Sequence, residues 1–316
     1  VSPERKELFL KNREIDFSYT LSDKARFRVN LYFQKGNMAA SLRFIPYKIK
    51  TIEELNLPPV LHDFTKYNQG FVLVVGPAGQ GKSTTLAALI DEINHERTEH
   101  IITIEDPVEY ILDDINQIQV KPKIDLTFAN SLRSIMRQDP DIIMVGEIRD
   151  RETAEIAIHA ALTGHLVFST LHTNTAPGAV TRLQEMGVAS FLISSAIIGV
   201  VAQRLARKVC EYCKYPVELD GDAALDLTDG KKDHVVVYKG KGCSRCTSGY
   251  KGRIAIHSIF DLNDYLREMI LNHATERDLT ETARKEGMRT LRENAAIKVL
   301  AGIISPEEMY RVTADI

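Results

Sequence analysis

The sequence predicts an α/β fold in which a small N-terminal antiparallel sheet precedes a larger parallel sheet with helices on its faces. Residues 1–49 alternate apolar and polar side chains, which is typical of strands with one solvated face. From Phe71 onward, short unbroken apolar runs alternate with helical patterns. Such runs favour strands that are buried on both faces, and their alternation with helices indicates a parallel sheet.

The N-terminal sheet is predicted from three alternating segments, IDFSYTL, ARFRVNLYF and AASLRFIPYKI. We expect turns at Ser22 and Asp23 and at Gly36 and Asn37, because these residue types favour tight turns. Residues 48–59 then predict a linker with a short helix that two prolines stop.

The strands of the larger sheet are predicted from the runs FVLVV, IITI, IIMV and LVFS. After Lys82, a helix carries an apolar stripe that would face the sheet, formed by Leu86, Leu89, Ile90 and Ile93. A second helix, RETAEIAIHAALTG, is expected to end at Gly164. The chain beyond Leu262 is predicted to be helical and charged.

The composition is that of a globular protein and gives no reason to expect nucleic-acid binding. The 316 residues are 44% hydrophobic and 26% charged, with a formal net charge of -3. The longest apolar stretch, residues 191–202, is too short to cross a bilayer, and no N-terminal signal segment is recognised. We therefore expect a cytoplasmic protein, whose contact with a membrane would have to be peripheral. Because the chain starts at Val1 without a methionine, a longer parent protein is an open alternative.

A glycine-rich segment predicts a phosphate site. GPAGQGKST fits the G-x-x-x-x-G-K-[ST] pattern, follows a predicted buried strand and opens an amphipathic helix. The loop N–H groups and the helix N-terminus suit a β-phosphate, Lys82 suits the β- and γ-oxygens, and the Ser83 hydroxyl suits Mg²⁺. A glycine turn without a chemical role is the alternative, and both flanks argue against it. The predicted nucleotide-binding residues are Gly76, Pro77, Ala78, Gly79, Gln80, Gly81, Lys82, Ser83 and Thr84.

Acidic residues follow two of the predicted buried strands. Glu105 ends the run IITIE, and Glu147 follows IIMVG, where a nucleotide hydrolase usually has a metal-binding aspartate. Because parallel strands deliver ligands at their carboxyl ends, we expect both carboxylates near the γ-phosphate. One would polarise the attacking water and the other would hold Mg²⁺ through water. The alternative is that both acids are helix caps or solvated strand ends.

His172 follows a third predicted strand, in the segment FSTLHTN. At the same end of the sheet, its imidazole could detect the γ-phosphate by hydrogen bonding. A structural histidine is the alternative, since the chain contains nine.

The four cysteines form two CxxC pairs, Cys210 with Cys213 and Cys243 with Cys246. In a reduced cytosol, two such knuckles predict a structural Zn²⁺ site with tetrahedral thiolate ligands and no open position. Two disulfides or four free thiols are the alternatives. The spacer is longer than is usual between paired knuckles, so residues 219–233 are expected to protrude as a loop.

Taken together, five segments resemble the hexameric ATPases of type II secretion and type IV pili, the GspE, PilB and PilT group: GPAGQGKSTT, TIEDPVEY, RQDPDIIMVGEIRD, ALTGHLVFSTLHTN and AQRLARKVC. The resemblance covers essentially the whole chain. It implies a RecA-like P-loop ATPase domain at residues 60–316, with a zinc element at about 207–252 and C-terminal helices at about 262–316. It also implies that residues 1–50 are part of a small N-terminal domain (N2-type, PAS-like) and that residues 51–59 are a linker.

The resemblance also implies roles for individual residues. Glu105 matches the general base of the family, Glu147 matches its Walker B acid near Mg²⁺, and His172 matches its histidine box. The family completes its site with arginines from the small domain, and the matching positions are Arg28 and Arg43. The alternative is that both arginines only keep the protein soluble, which is the ordinary role of an arginine on the exposed face of a strand.

The resemblance changes along the chain. Residues 1–50 resemble the retraction ATPases of type IV pili, whereas the chain from about Leu126, including the cysteines, resembles the assembly and secretion ATPases. The implied function is an ATP-hydrolysing homo-hexameric motor of pilus assembly or type II secretion. The implied partner is an inner-membrane platform protein, and the implied location is the cytoplasmic face of that membrane. A retraction ATPase is the alternative within the family.

Two alternatives lie outside this family. One is a nucleic-acid translocase, against which we count the shortness of the basic clusters and the absence of tryptophan. The other is a scaffold that binds nucleotide without hydrolysing it, against which we count intact Lys82, Glu105 and Glu147.

Overall fold

The N-terminal part of the chain forms a three-stranded antiparallel sheet, as predicted. The computed structural model describes residues 2–21, 25–46 and 48–314. An additional helix precedes the strands, and the elements are α1 (Pro3–Asn12), β1 (Glu14–Leu21), β2 (Ala25–Gln34) and β3 (Asn37–Ile45). The turn predicted at Gly36 and Asn37 joins β2 to β3, where Lys35 and Gly36 have φ of 50° and 81°. The turn predicted at Ser22 and Asp23 lies outside the described residues.

The two faces of this small sheet differ in polarity. On the apolar face, α1 covers part of the surface, and the rings of Phe9 and Phe33 stack with centroids 5.1 Å apart. The polar face, which the pattern predicted to be solvated, lies instead over the larger part of the molecule. There Ile45, the last residue of β3, packs with Ala87 and Tyr110. The charged side chains of this face are therefore close to the glycine-rich loop.

The linker contains turns rather than the helix predicted before the two prolines. Residues 52–56 form turns, and helix α2 (Leu61–Phe64) begins after Pro58 and Pro59. The carbonyl oxygens of both prolines accept the first hydrogen bonds of α2. Proline has no N–H to lose at a helix start, so this pair begins a helix instead of stopping one.

The larger sheet has seven strands. They are β4 (Gly70–Val75), β5 (Ile101–Glu105), β6 (Asn116–Gln119), β7 (Ile142–Val145), β8 (Leu166–Leu171), β9 (Ile197–Val209) and β12 (Tyr250–Asp261). Their order is β12-β9-β4-β8-β7-β5-β6, and all neighbours are parallel except the β9–β12 pair. The four apolar runs that predicted buried strands are β4, β5, β7 and β8, which confirms this part of the prediction.

Helices cover both faces of the larger sheet. On one face, the predicted apolar stripe of α3 (Lys82–Glu96) packs with Val72 and Phe168. A short 3₁₀ helix lies at Pro122–Ile124. The opposite face carries the larger core, to which these helices contribute: α4 (Phe128–Ile135), α5 (Arg151–Leu162), α6 (Gly178–Glu185), α7 (Ser190–Ala196), α9 (Asp264–Leu271), α10 (Glu276–Lys285), α11 (Leu291–Leu300) and α12 (Pro306–Thr313).

The segment between the two cysteine pairs is folded and does not protrude as the predicted loop. Strands β10 (Lys214–Asp220) and β11 (His234–Gly240) form an antiparallel hairpin, and α8 (Asp222–Thr228) lies at its end. Ala224 and Leu227 of α8 are buried in the same core as the C-terminal helices. Helix α8 was not predicted because its two buried apolar residues are surrounded in the sequence by charged residues and glycines.

In the described part of the chain, no helix combines the length and the apolar character that a bilayer span requires. The longest apolar stretch, residues 191–202, is divided between α7 and β9.

Candidate functional site

The P-loop, residues 76–84, follows the carboxyl end of β4 and leads directly into α3. A Cβ atom at Gly76 would lie 2.5 Å from the carbonyl oxygen of Gln203, so a larger residue does not fit where the loop leaves the strand. Gly81 caps α3 with a left-handed φ of 85°. The N-terminus of α3 therefore lies at the carboxyl edge of the sheet, which is the arrangement that binds phosphate.

Lys82 lies inside the P-loop. Its Nζ donates to the carbonyl oxygens of Gly76 at 2.7 Å and Pro77 at 3.0 Å. Burial lowers the pKa of Lys82, the carboxylate of Glu147 opposes that effect, and the charge of Arg204 adds to it. The ammonium group is thus held by neutral acceptors that an incoming phosphate can replace.

Strand β9 braces the P-loop through a pair of glutamines. Nε2 of Gln203 donates to the carbonyl oxygen of Gln80 at 2.8 Å, and Oε1 of Gln80 accepts the N–H of Leu205 at 2.7 Å. Oε1 of Gln203 also accepts the hydroxyl of Thr85 in α3 at 2.8 Å. Gln203 was not predicted as a site residue, and its only sequence signal was its place in AQRLARKVC.

A cavity of about 200 Å³ brings the predicted acidic and histidine residues to the P-loop. Strands β8, β7 and β5 follow one another on one side of β4 and are parallel to it, so their carboxyl ends meet at one edge. The predicted site residues that line this cavity are Arg28, Ala78, Gly79, Lys82, Ser83, Glu105, Glu147 and His172. We call it the catalytic cavity below.

Glu105, the last residue of β5, is held by two polar neighbours. The hydroxyl of Thr103 donates to its Oε1 at 2.7 Å, and Nε2 of Gln117 donates to the same oxygen at 3.0 Å. Burial raises the pKa of Glu105, and these hydrogen bonds oppose the rise. A carboxylate with a raised pKa accepts a proton more readily, which suits a general base near neutral pH.

Glu147 follows β7, and its carboxylate has Arg149 and His172 as neighbours. Arg149 donates a hydrogen bond to its Oε1, and Nε2 of His172 lies 3.5 Å from its Oε2. An Nη1 atom of Arg149 also lies 3.8 Å from a carboxylate oxygen of Asp106. The hydrogen bond with Glu147 raises the pKa of Arg149. Arg149 was not predicted, and it links the acids that follow β5 and β7.

Arg28 and Arg43 are neighbours in the small sheet, where their Cα atoms are paired across β2 and β3. Arg28 lines the catalytic cavity. Arg43 instead lines an adjacent cavity of about 490 Å³ on the P-loop, together with Thr84. Among the described residues, neither guanidinium has an ion-pair partner. The fold therefore brings one of the two predicted arginines, and not both, into the cavity that contains the acids.

The four cysteines form one cluster where β9, the β10–β11 hairpin and β12 meet. Their sulfur atoms all lie within 4.8 Å of one another, with Cys210 and Cys243 3.9 Å apart and Cys213 and Cys246 3.8 Å apart. Four thiolates at about 2.3 Å from Zn²⁺ are roughly 3.8 Å apart in a tetrahedron, so the cluster fits this ion. None of the four forms a disulfide.

Comparisons with known proteins agree with this geometry. The family described as "Type II/IV secretion system protein" matches residues 26–311. The type II secretion system ATPase E of Vibrio cholerae is 49% identical over 251 residues, which cover 79% of this chain and 50% of that protein. The type IV pilus assembly ATPase PilB of Thermus thermophilus is 48% identical over 276 residues, which cover 84% of this chain and 31% of that protein. The chain thus spans half the length, or less, of these two relatives.

Solved structures share the fold over almost the entire chain. The pilus retraction motor PilT with bound ADP has a TM-score of 0.76 at 31% identity, covering 100% of this chain and 82% of that chain. The ATPase DotB of Legionella pneumophila has a TM-score of 0.72 at 26% identity, covering 99% of this chain and 81% of that chain. The likeness therefore includes both the small sheet and the larger sheet.

Proposed function

The chain belongs to the family of type II/IV secretion system proteins, and from that premise we propose that it is an ATP-hydrolysing motor of pilus assembly or type II secretion. The observation that carries the proposal is the convergence of Lys82, Glu105 and Glu147 on one cavity at the P-loop. The relatives from Vibrio cholerae and Thermus thermophilus, a secretion ATPase and a pilus assembly ATPase, support the same class of function.

ATP is the proposed substrate, and the P-loop is its phosphate site. Loop N–H groups and the N-terminus of α3 bind the β-phosphate, because unpaired backbone donors at a helix start attract anions. Lys82 exchanges the carbonyl oxygens of Gly76 and Pro77 for phosphate oxygens. The ADP bound to the PilT structure supports an adenine nucleotide as the ligand.

In the proposed reaction, Glu105 accepts a proton from the attacking water. The water oxygen bonds to the γ-phosphorus while the bond from that phosphorus to the bridging oxygen of ADP breaks, and the products are ADP and phosphate. Arg28, which has no ion-pair partner among the described residues, neutralises charge on the transferred group. His172, 3.5 Å from Glu147, hydrogen-bonds to the γ-phosphate and responds to its release.

Two separate places in the chain offer ligands for metal ions, the catalytic cavity and the tetracysteine cluster. The hydroxyl of Ser83 and the carboxylate of Glu147 both line the catalytic cavity, and oxygen ligands of this kind are what Mg²⁺ prefers. Bound Mg²⁺ would neutralise charge on the β- and γ-phosphates. Zn²⁺ is the proposed occupant of the tetracysteine cluster, where four thiolates leave no open position and the role is structural.

We propose that the motor is a homo-hexamer that acts on a membrane platform protein at the cytoplasmic face of the inner membrane. Each chain of the proposed motor consists of a small domain (residues 1–50), a linker (51–59) and a RecA-like domain (60–316). Pilus retraction is the second candidate, which the likeness to the PilT structure favours. The identity of 48–49% to assembly and secretion ATPases and the tetracysteine cluster favour assembly or secretion.

Hydrolysis of ATP by the purified chain tests the proposal, with phosphate release as the readout. We expect Glu105→Gln and Glu147→Gln each to lower kcat by about 10²-fold or more, because general-base and charge-stabilising groups typically contribute that much. Both variants should still bind ATP. The matched control is Glu185→Gln, an exposed residue outside the site. Nucleotide binding without any hydrolysis by the unaltered chain would favour the scaffold alternative.

A further inference from the structure

Two side chains of the small sheet donate hydrogen bonds to one carbonyl group of the acidic loop, residues 106–110. Nη2 of Arg26 in β2 donates to the carbonyl oxygen of Val108 at 3.0 Å. The hydroxyl of Ser18 in β1 donates to the same oxygen at 3.5 Å. Arg26 and Val108 are both 9% exposed, so this contact is shielded from water. Two strands of the small sheet therefore converge on the middle of the acidic loop.

The acidic loop follows Glu105 in the chain and is linked to the P-loop by a hydrogen bond. It starts directly after Glu105 and ends at Tyr110, whose hydroxyl lies 3.0 Å from Oγ1 of Thr84. Nε2 of Gln117 donates both to Oε1 of Glu105 at 3.0 Å and to the carbonyl oxygen of Tyr110 at 2.9 Å. Because both ends of the loop are tied to the site, a shift of the loop would move the Glu105 carboxylate relative to the P-loop.

The charge of Arg26 also interacts with the site. Burial lowers the pKa of the Arg26 guanidinium, and attraction to the carboxylate of Glu105 opposes that effect. Nε and Nη1 of Arg26 are buried without a hydrogen-bond acceptor among the described residues. Buried donors without acceptors are unfavourable and rare in folded proteins, so each calls for an explanation other than stability.

Arg26 shares a cleft with acidic residues. It lines a cleft of about 580 Å³ together with Asp91, Glu109 and Asp113. A movement of the small sheet that breaks the bond to Val108 would therefore leave the guanidinium near carboxylates.

We propose that Arg26 is a positioning residue that couples the orientation of the small sheet to the placement of Glu105. When the bond to Val108 is made, the acidic loop is anchored and Glu105 is held at the catalytic cavity. When the small sheet moves away, the loop loses that anchor and hydrolysis slows. This inference rests on the proposed hydrolysis of ATP. It differs from the role of Arg28, which lines the catalytic cavity itself.

The test compares kcat for ATP with the Kd of a fluorescent ATP analogue in the full chain. We expect Arg26→Gln to lower kcat about tenfold while Kd stays within about twofold, because misplacing a catalytic group slows chemistry without removing phosphate contacts. Arg26→Lys keeps the charge and one donor, so its kcat should be reduced only about threefold. The matched control is Arg5→Gln in α1, whose guanidinium lies over Phe17 on the opposite face of the small sheet.

Two results would overturn the inference: an unchanged kcat in Arg26→Gln, or a parallel loss of kcat and nucleotide affinity in both variants. If Arg26→Gln does not fold, Arg26→Met, which keeps the length of the side chain without a hydrogen-bond donor, takes its place, and a wild-type kcat in that variant contradicts a positioning role. Absence of hydrolysis by the unaltered chain would count against the proposed function. Normal hydrolysis with unaffected Arg26 variants would count only against this inference.

Discussion

Individual side chains of the site form hydrogen bonds within the chain that contacts with a nucleotide can replace. Lys82 donates to two carbonyl oxygens of its own loop, and Glu147 is hydrogen-bonded by Arg149. Arg28 has no such ion-pair partner in the described part of the chain. An unpaired guanidinium beside a phosphate site needs no bond to be broken before it acts. Because Arg28 also lines the cavity that contains the acids, we expect its replacement to have a larger kinetic effect than replacement of Arg43.

We predict that Arg28→Ala lowers kcat by about 10²- to 10³-fold and changes nucleotide affinity by much less, because an arginine that stabilises transition-state charge contributes mainly to turnover. Arg43→Ala serves as the internal comparison, since Arg43 lines the adjacent cavity and not the one with the acids. Steady-state hydrolysis and equilibrium nucleotide binding measure the two quantities. Unchanged turnover in both variants would remove the arginines from the site.

At the scale of elements, β9 connects three parts of the molecule. Gln203 braces the P-loop, and Cys210 of the tetracysteine cluster follows the strand directly. Between them, Nη2 of Arg207 lies 2.7 Å from Oε2 of Glu308 in α12, which is fully buried. Burial would raise the pKa of Glu308, but hydrogen bonds from Arg311 and Arg207 outweigh it and lower the pKa to about 2. The ionised pair therefore fixes α12 to β9 at neutral pH.

Because β9 leads into the tetracysteine cluster, we predict that loss of Zn²⁺ destabilises the fold around this strand. Metal analysis in reducing buffer should find one zinc per chain, and Cys213→Ser should lose the zinc and lower Tm by several degrees, as expected for a structural site. Ser244→Ala, which changes a residue between two ligands without removing a thiolate, is the matched control. A zinc content well below one per chain in the unaltered protein would contradict the prediction.

The sequence predicted those elements whose signal is local. The buried strands β4, β5, β7 and β8 were predicted because each is an unbroken apolar run, and the P-loop because its motif is contiguous. The two prolines were interpreted as the stop of a helix, whereas α2 begins after them, because proline, which has no N–H, also fits the start of a helix. Gln203, Arg149 and Arg26 were missed because their roles depend on contacts: Gln203 and its partner Gln80 are 123 positions apart.

At the scale of the whole molecule, the catalytic cavity of a single chain is small for its proposed substrate. Its volume of about 200 Å³ is below the roughly 300–1,000 Å³ that is typical of small-molecule sites. Phosphates fit at the P-loop, and the rest of ATP must extend beyond this cavity. The small sheet, whose polar face lies over the P-loop, and a neighbouring subunit are the surfaces that could enclose it. The adjacent cavity of about 490 Å³ on the P-loop gives part of this room within the chain, and the proposed hexamer would supply a further wall.

We therefore predict that ATP hydrolysis per chain rises with the fraction of chains in a hexamer. Hydrolysis rates and the mass of the assembly should be measured on the same samples over a range of protein concentrations that spans dissociation. Nucleotide binding provides the control, because the P-loop and Lys82 belong to one chain and should bind phosphate in the monomer as well. A constant rate per chain across the transition from monomer to hexamer would mean that each chain completes its own site, and the enclosing role would then fall to the small sheet alone.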